Sequence, residues 1–312
     1  MRIGVITSGG DAPGMNPCVA SLIKGAKESG HEIVGFAKGF RGIAEGSAVT
    51  LSEREAAGIY KLGGTVLGAG RYDGMRDPDE RRRIAEALEA RGIEALIIIG
   101  GDGSFKGGLA LTEVCRVTMV GIPATIDNNI YGSDYTLGYD TAMNKLVNYI
   151  DDITDTGLSH EGRVFLVETL GASNGYFAYG AYEMGIADMC VICEDPMGDD
   201  EVIEKIEMLY ARSEKGHVIV TIAEDVGKTL VYHNRLKSLG YNSKMNLIGY
   251  QQRGGSPTAR DRLHAAGFAK MALAACAEAS GAAGKYVVFS GGEYSYLDFT
   301  EAANKKAFPY RT

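Results

Sequence analysis

Val117-Thr-Met-Val-Gly-Ile-Pro-Ala-Thr-Ile-Asp-Asn-Asn-Ile130 is the stretch on which the reading of this chain turns. Its first half is apolar and rich in β-branched residues and stops at Pro123, so Val117–Ile122 reads as a buried strand. Its second half sets a hydroxyl, Thr125, and a carboxylate, Asp127, at the mouth of that strand among small or polar neighbours. No basic residue stands beside Asp127 in the sequence. A carboxylate so placed suits proton abstraction better than ion pairing. The alternative is an Asx-type turn in which Asp127 only caps backbone groups.

Working outward, apolar strands alternate with helical spacing. Strands are expected at Arg2–Thr7, His31–Phe36 and Ala95–Ile99, and helices at Gly14–Ser29, Leu51–Leu62, Pro78–Arg91 and Leu109–Val114. A long helix, Thr141–Thr156, leads to a second series of strands at Arg163–Thr169, Met189–Ile192, Val218–Ala223, Met245–Tyr250 and Tyr286–Ser290. Continuous apolar strands separated by helices mean parallel sheets covered on both faces. The expected fold is α/β, with two doubly wound, mostly parallel-sheet lobes and the active site in the cleft between them. Residues 1–138, completed by part of the C-terminal region at about 251–312, are expected to form the larger lobe, and 139–250 the smaller. Ligands in such folds bind outside the carboxyl ends of the strands.

Composition bounds the function. A chain of 312 residues exceeds what one core usually supports. A net charge of -8 argues against nucleic acid as the main partner, and no apolar run is long enough for a membrane helix. The first strand starts too close to Met1 to leave room for a signal peptide, so a cytoplasmic protein is expected. The five cysteines are scattered, and Cys190 and Cys193 form a CxxC with no second pair for zinc, so buried thiols are expected. His160, His217, His233 and His264 lack metal-ligand spacing.

Four strand ends carry chemistry. In Thr7–Asn16, TSGGDAPGMN, two glycines precede a helix whose N-terminus suits a phosphate, although the pattern is neither GxGxxG nor Walker A. In GGTVLGAGRYDGMRD, Arg71 follows a glycine-rich stretch and suits a bidentate clamp on phosphoryl oxygens, or is simply a surface arginine. In IIIGGDGSFKGG, Asp102 between Gly101 and Gly103 suits Mg²⁺ beside phosphates. The fourth is the opening stretch. Together they supply the parts that phosphoryl transfer needs.

These motifs, with P-x-TIDN followed by TLGYDTA and the Gln252–Pro257 run QRGGSP, resemble the ATP-dependent phosphofructokinase family from Arg2 to about Arg262 in order and spacing. The resemblance implies a glycolytic phosphotransferase that moves phosphate from ATP, with Mg²⁺, to fructose 6-phosphate. It implies Asp127 as base, Thr125 and Arg71 beside it, and Asp102 as the magnesium carboxylate. ATP-binding positions fall on Gly10, Arg71, Tyr72, Gly101, Asp102, Gly103 and Ser104. Sugar-phosphate contacts fall on Thr125, Asp127, Leu170, Gly171, Ala172, Glu224, Lys244, Tyr250 and Arg253, with Arg163 reaching over from a neighbouring subunit. The implied assembly is a homotetramer, and at least a dimer.

The sequence also departs from the family pattern. Ala172 replaces an arginine, Asn129 a carboxylate, Tyr250 a histidine and Lys244 an arginine. In the effector site Ala20 and Thr154 replace arginines, Asp188 keeps the acid and Lys24 only a charge, so weak control by ADP or phosphoenolpyruvate is expected. Small uncharged residues at Gly103 and Ala124 favour ATP over pyrophosphate. The alternatives are another acceptor, such as sedoheptulose 7-phosphate or tagatose 6-phosphate, pyrophosphate as donor, or a non-catalytic paralogue that binds nucleotide or sugar phosphate.

Overall fold

A computed structural model of the chain describes residues 1–50, 52–278, 284–304 and 306. They divide into two compact units, Met1–Thr141 with the described residues from Arg253 onward, and Ala142–Gln252. The strands are β1 (Arg2–Thr7), β2 (Glu32–Phe36), β3 (Ala48–Val49), β4 (Ala95–Gly100), β5 (Thr118–Pro123), β6 (Arg163–Thr169), β7 (Met189–Val191), β8 (His217–Ala223), β9 (Asn242–Leu247), β10 (Gly284–Ser290) and β11 (Glu293–Asp298). The helices are α1 (Met15–Glu28), α2 (Phe40–Ala44), α3 (Glu53–Ile59), α4 (Pro78–Ala90), α5 (Asp102–Thr112), α6 (Tyr139–Ser159), α7 (Tyr176–Glu183), α8 (Asp199–Arg212), α9 (Thr229–Ser238) and α10 (Ala259–Glu278).

The larger unit carries a seven-stranded sheet in the order β11-β10-β5-β4-β1-β2-β3. Its five inner strands are parallel, and β3 and β11 are antiparallel edges. Every residue of β4 and β5 is buried, the pattern of strands covered on both faces. Glycine at position 121 is required by packing. A Cβ there would stand 2.7 Å from Phe105 and from Tyr286 and 2.8 Å from Phe299. Its absence lets the three rings stack over mid-β5, with Phe105 centred 5.1 Å from Tyr286 and 5.5 Å from Phe299. From β1 the sheet grows to one side through β2 and to the other through β4, which makes their junction the topological switch point.

The smaller unit carries a four-stranded parallel sheet, β7-β8-β6-β9. Val202, Ile203 and Ile206 of α8 and Tyr232 and Leu236 of α9 bury against Val164, Leu166, Val218 and Val220. No helix among the described residues is long and apolar enough to cross a membrane.

Several expected elements move. α5 starts at Asp102 rather than near Leu109, because the glycines that read as loop only open its first turn. The Leu51–Leu62 helix is shorter, Glu53–Ile59, starting at a Ser52–Glu55 capping box, and Leu51 lies outside the described residues. The Met245–Tyr250 strand shifts back to Asn242–Leu247, and Tyr250 falls in a single turn, Gly249–Gln252. Tyr286–Ser290, named last in the second series of strands but inside the C-terminal region assigned to the larger lobe, is β10 and pairs with β5 in the large sheet. The polar stretch after Ser290 turns at Gly291–Gly292 and returns as β11, and Lys305, Pro309 and Arg311 beyond it lie outside the described residues.

Candidate functional site

Beyond Pro123, the Thr125 Oγ1 accepts the Asp127 N–H at 3.2 Å and Asn128 takes a left-handed φ of 49°. The chain therefore reverses tightly and leaves Asp127 half-buried just past the end of β5. Here the Thr125 hydroxyl caps the turn. The following segment comes back alongside. Leu137 bridges Ala124 in parallel, its N–H donates to the Pro123 carbonyl at 3.0 Å, and Thr136 Oγ1 donates to the Thr125 carbonyl at 2.6 Å. Asn128 Nδ2 donates to the Asp134 carbonyl at 3.1 Å, and Lys306 Nζ to the Asn128 carbonyl at 2.8 Å. Burial pulls the Lys306 ammonium down to about 8, against the opposing pull of Asp134.

The end of β4 lies beside this turn. The Ala124 N–H donates to the Gly100 carbonyl at 2.9 Å, and a Cβ on Gly101 would come 3.8 Å from that of Thr125. Gly101 is the extended N-cap of α5 and supplies no side-chain cap, so the helix opens with uncapped amides, which suit an anion. Open space lies where a Gly103 Cβ would be. Asp102 heads the helix, half exposed, with Lys106 Nζ 2.8 Å from its carboxylate one turn on. Ser104 is buried, and a Cβ on Gly9 would stand 3.4 Å from its hydroxyl.

The loop after β1 completes the group. Thr7 Oγ1 donates to the Gly68 carbonyl at 2.7 Å and the Gly9 N–H to the Gly70 carbonyl at 3.3 Å. Asn16 donates from Nδ2 to the carbonyls of Leu62 (3.2 Å) and Gly63 (3.0 Å) and accepts the Val66 N–H at 2.7 Å. The glycine-rich segment is thereby laced to β1, with exposed Arg71 just past the lacing. A Cβ on Gly10 would touch the Arg253 guanidinium at 2.7 Å, so that arginine lies over the first loop. Tyr72 is otherwise engaged, its hydroxyl donating to Glu80 at 2.6 Å and the Arg41 guanidinium lying 5.6 Å above its ring. Gly10, Gly101, Gly103, Ser104, Thr125 and Arg253 thus gather around the carboxyl ends of β1, β4 and β5.

In the smaller unit, Glu224 Oε1 accepts the N–H groups of Gly171 (3.0 Å) and Ala172 (2.7 Å), and Gln252 Oε1 accepts that of Leu170 (2.7 Å). Ala172 is exposed and sits at φ 54°, where few L-residues rest. Arg163 does not join them. It begins β6 and Leu170 follows its end, a strand's length of roughly 20 Å away. Lys244 pairs with Phe165, and Asn242 with Arg163, so Lys244 belongs near the Arg163 end. Tyr250 is 83% exposed.

Of the effector-site positions, Ala20 is buried in α1, Thr154 Oγ1 donates to its own helix at the Ile150 carbonyl (2.8 Å), and Asp188 binds Lys215 (2.9 Å) and the Ile219 N–H (2.8 Å). Cys18, Cys115 and Cys276 are buried and Cys190 and Cys193 half-buried, burial pushing the last two up to about 11. No cluster of three or more His, Cys, Asp or Glu side chains among the described residues would hold a metal. Reading by motif overlooks Asn16 and Gln252, which lie inside motifs already quoted, and Lys306, which no motif marks.

The chain is similar to known proteins along most of its length. The family model described as Phosphofructokinase matches residues 2–276. ATP-dependent 6-phosphofructokinase 1 of Thermus thermophilus is 38% identical over 308 residues, covering 98% of this chain and 94% of that protein. The ATP-dependent 6-phosphofructokinase of Aquifex aeolicus is 35% identical over 312 residues, covering 98% and 95%. Among solved structures, Pichia pastoris phosphofructokinase in the T-state superposes with a TM-score of 0.88 at 25% identity over 96% of this chain, which spans 35% of that longer one. A pyrophosphate-dependent phosphofructokinase from Marinobacter aquaeolei shares the fold, with a TM-score of 0.84 at 18% identity, covering 99% of this chain and 86% of that one. Matched along nearly its whole length, the chain belongs to the phosphofructokinase family.

Proposed function

We infer that the chain phosphorylates fructose 6-phosphate with ATP, giving fructose 1,6-bisphosphate and ADP, as a phosphotransferase of glycolysis acting in the cytoplasm. The observation that carries the donor is the open space at Gly103, beside the uncapped start of α5. A side chain there would compete with the nucleotide, and Ala124 at the end of β5 is small and uncharged as well. The observation that supports the acceptor is full-length likeness to relatives named for that reaction.

In this reading the sugar 1-hydroxyl attacks the γ-phosphorus in line. Its proton passes to the Asp127 carboxylate as the bond to the β,γ-bridging oxygen breaks, with no covalent enzyme intermediate. Thr125 contacts the sugar beside Asp127, Gly10, Gly101, Gly103 and Ser104 hold phosphoryl oxygens of ATP, Arg71 and Tyr72 flank the nucleotide, and Arg253 meets the sugar phosphate. Asp102 would hold Mg²⁺, which neutralises phosphate charge when bound. A single half-exposed carboxylate fits an ion held otherwise by phosphates and water, and the Lys106 pair is exposed enough to yield.

The larger unit carries the residues read as base and phosphate loops, and the smaller carries those read as sugar contacts, Leu170, Gly171, Ala172, Glu224 and Tyr250. Arg163 and Lys244 lie at the far end of β6 from Leu170, so they meet a sugar phosphate only in a second copy's site. That reading requires at least a dimer, and the homotetramer rests on the family resemblance alone.

The test is a coupled assay of ATP and pyrophosphate against a panel of sugar phosphates. With ATP and fructose 6-phosphate as the preferred pair, Asp127→Asn is expected to lower kcat by about 10²–10⁴-fold. Wild-type kcat in that variant would remove Asp127 as base, and preference for another pair would move the substrate assignment.

A further inference from the structure

Asp261 lies in the first turn of α10 with 0% of its surface exposed. Its neighbours Arg260 and Arg262 make it read as a charge on a solvated helix face. Yet its carboxylate accepts four hydrogen bonds from one short segment of chain. Oδ1 accepts the Tyr135 hydroxyl at 2.6 Å and the Gly138 N–H at 2.7 Å. Oδ2 accepts the Thr141 N–H at 2.9 Å and the Thr141 hydroxyl. An ion buried this deeply survives only when such donors replace its water.

Those donors sit in the segment that runs back along the turn after β5. Tyr135, Gly138 and Thr141 flank Thr136 and Leu137, which bind the Thr125 carbonyl and Pro123. Gly138, at φ 101°, packs so close that a Cβ would stand 2.8 Å from that of Ala12 and 3.1 Å from the Pro13 carbonyl. The amides of Gly138 and Thr141 also open α6, so the carboxylate caps that helix from outside. The far side is held too. The Thr258 N–H donates to Thr141 Oγ1 at 3.0 Å and its hydroxyl to Asp140 at 2.7 Å.

We propose that Asp261 is a positioning residue for phosphoryl transfer, fixing residues 135–141 so that their contacts with Thr125 hold Asp127 in register. This rests on the reading of Asp127 as the base. A shift on the order of 1 Å in a reacting group lowers rate by up to about 10²-fold, so Asp261 acts on kcat and leaves nucleotide affinity alone.

The experiment measures kcat, the KM for ATP and the thermal midpoint in Asp261→Asn, Tyr135→Phe, Asp127→Asn and the two doubles with Asp127→Asn. The amide of Asp261→Asn turns a donor toward two of the four donors, so kcat is expected to fall about 10-fold or more with the KM for ATP within about twofold. Tyr135→Phe removes one donor without disturbing the buried charge and should lower kcat by about threefold with the same split. In the Asp127→Asn background either change should cost less than about twofold, because residues acting through one another are not additive. Wild-type kcat in Tyr135→Phe, or equal loss of kcat in both backgrounds, overturns the proposal even if Asp261→Asn fails to fold. Failure of the base reading shows separately, as wild-type kcat in Asp127→Asn alone.

Discussion

The turn after β5 and the loop after β6 occupy equivalent places in their sheets and are held very differently. Residues 123–141 are laced by Thr125, Thr136, Asn128, Lys306 and the buried carboxylate of Asp261, and most of them are buried or half-buried. Residues 170–172 hang from two side-chain acceptors, Glu224 and Gln252, and end in an exposed, left-handed Ala172. In the mechanism proposed above, pre-organisation belongs where charge moves, since a misplaced base forfeits rate, whereas a loop proposed to meet the sugar can yield to its shape. The family departures Ala172 and Tyr250 both fall on the yielding, exposed side.

Adding a methyl group to the rigid side should break it. Gly138→Ala combines a φ of 101° with a Cβ 2.8 Å from that of Ala12. Strain and overpacking together predict a loss of roughly 3 kcal/mol in denaturant unfolding. A loss under about 0.5 kcal/mol would mean the turn relaxes as freely as its counterpart.

Lys306 tests the same side through pH. Its folded pKa, about 8, lies below its ordinary value, so between pH 8 and that value the unfolded chain holds a proton that the folded chain has lost. Stability should therefore rise with pH across that window, on the order of 1 kcal/mol for a half-buried group. Lys306→Met should flatten the rise and be the more stable protein below pH 8. An unchanged pH slope in the variant would assign the rise to other groups.

The smallest effect belongs to the loose side. Ala172→Gly relieves a left-handed alanine at φ 54° but frees the unfolded chain, leaving a net gain of about 0.5 kcal/mol. Destabilisation by about 1 kcal/mol or more would show that Ala172 is packed, and the contrast between the two turns would fade.

Legibility follows burial. The inner strands β1, β4, β5, β6 and β8 are continuous apolar runs because helices cover both of their faces, and the sequence pattern places them closely. Strand β9, an edge with Lys244, Met245 and Leu247 exposed, lacks that pattern, and its sequence points too far along the chain. The return of the C-terminal region to the larger lobe is expected, but that β10 pairs there with β5 stays hidden, because chain order does not encode which strand receives a partner. Around the site, loops rich in glycine announce themselves, since close backbone approach needs them. Asp261 and Lys306 do not, because a buried charge looks in sequence like any solvated one, and only its partners distinguish it.

The glycine in mid-β5 has a consequence for how the chain is made. Its ring stack draws on Phe105, Tyr286 and Phe299, and β10 supplies β5 with its second neighbour. A nascent chain emerges from the ribosome with β1, β2, β4 and the whole smaller unit complete while β5 still presents an unpaired edge and, over Gly121, Phe105 without its two partner rings. Closure of the larger sheet waits for residues 284–299, so the turn that carries Asp127 is among the last parts of the molecule to settle during synthesis.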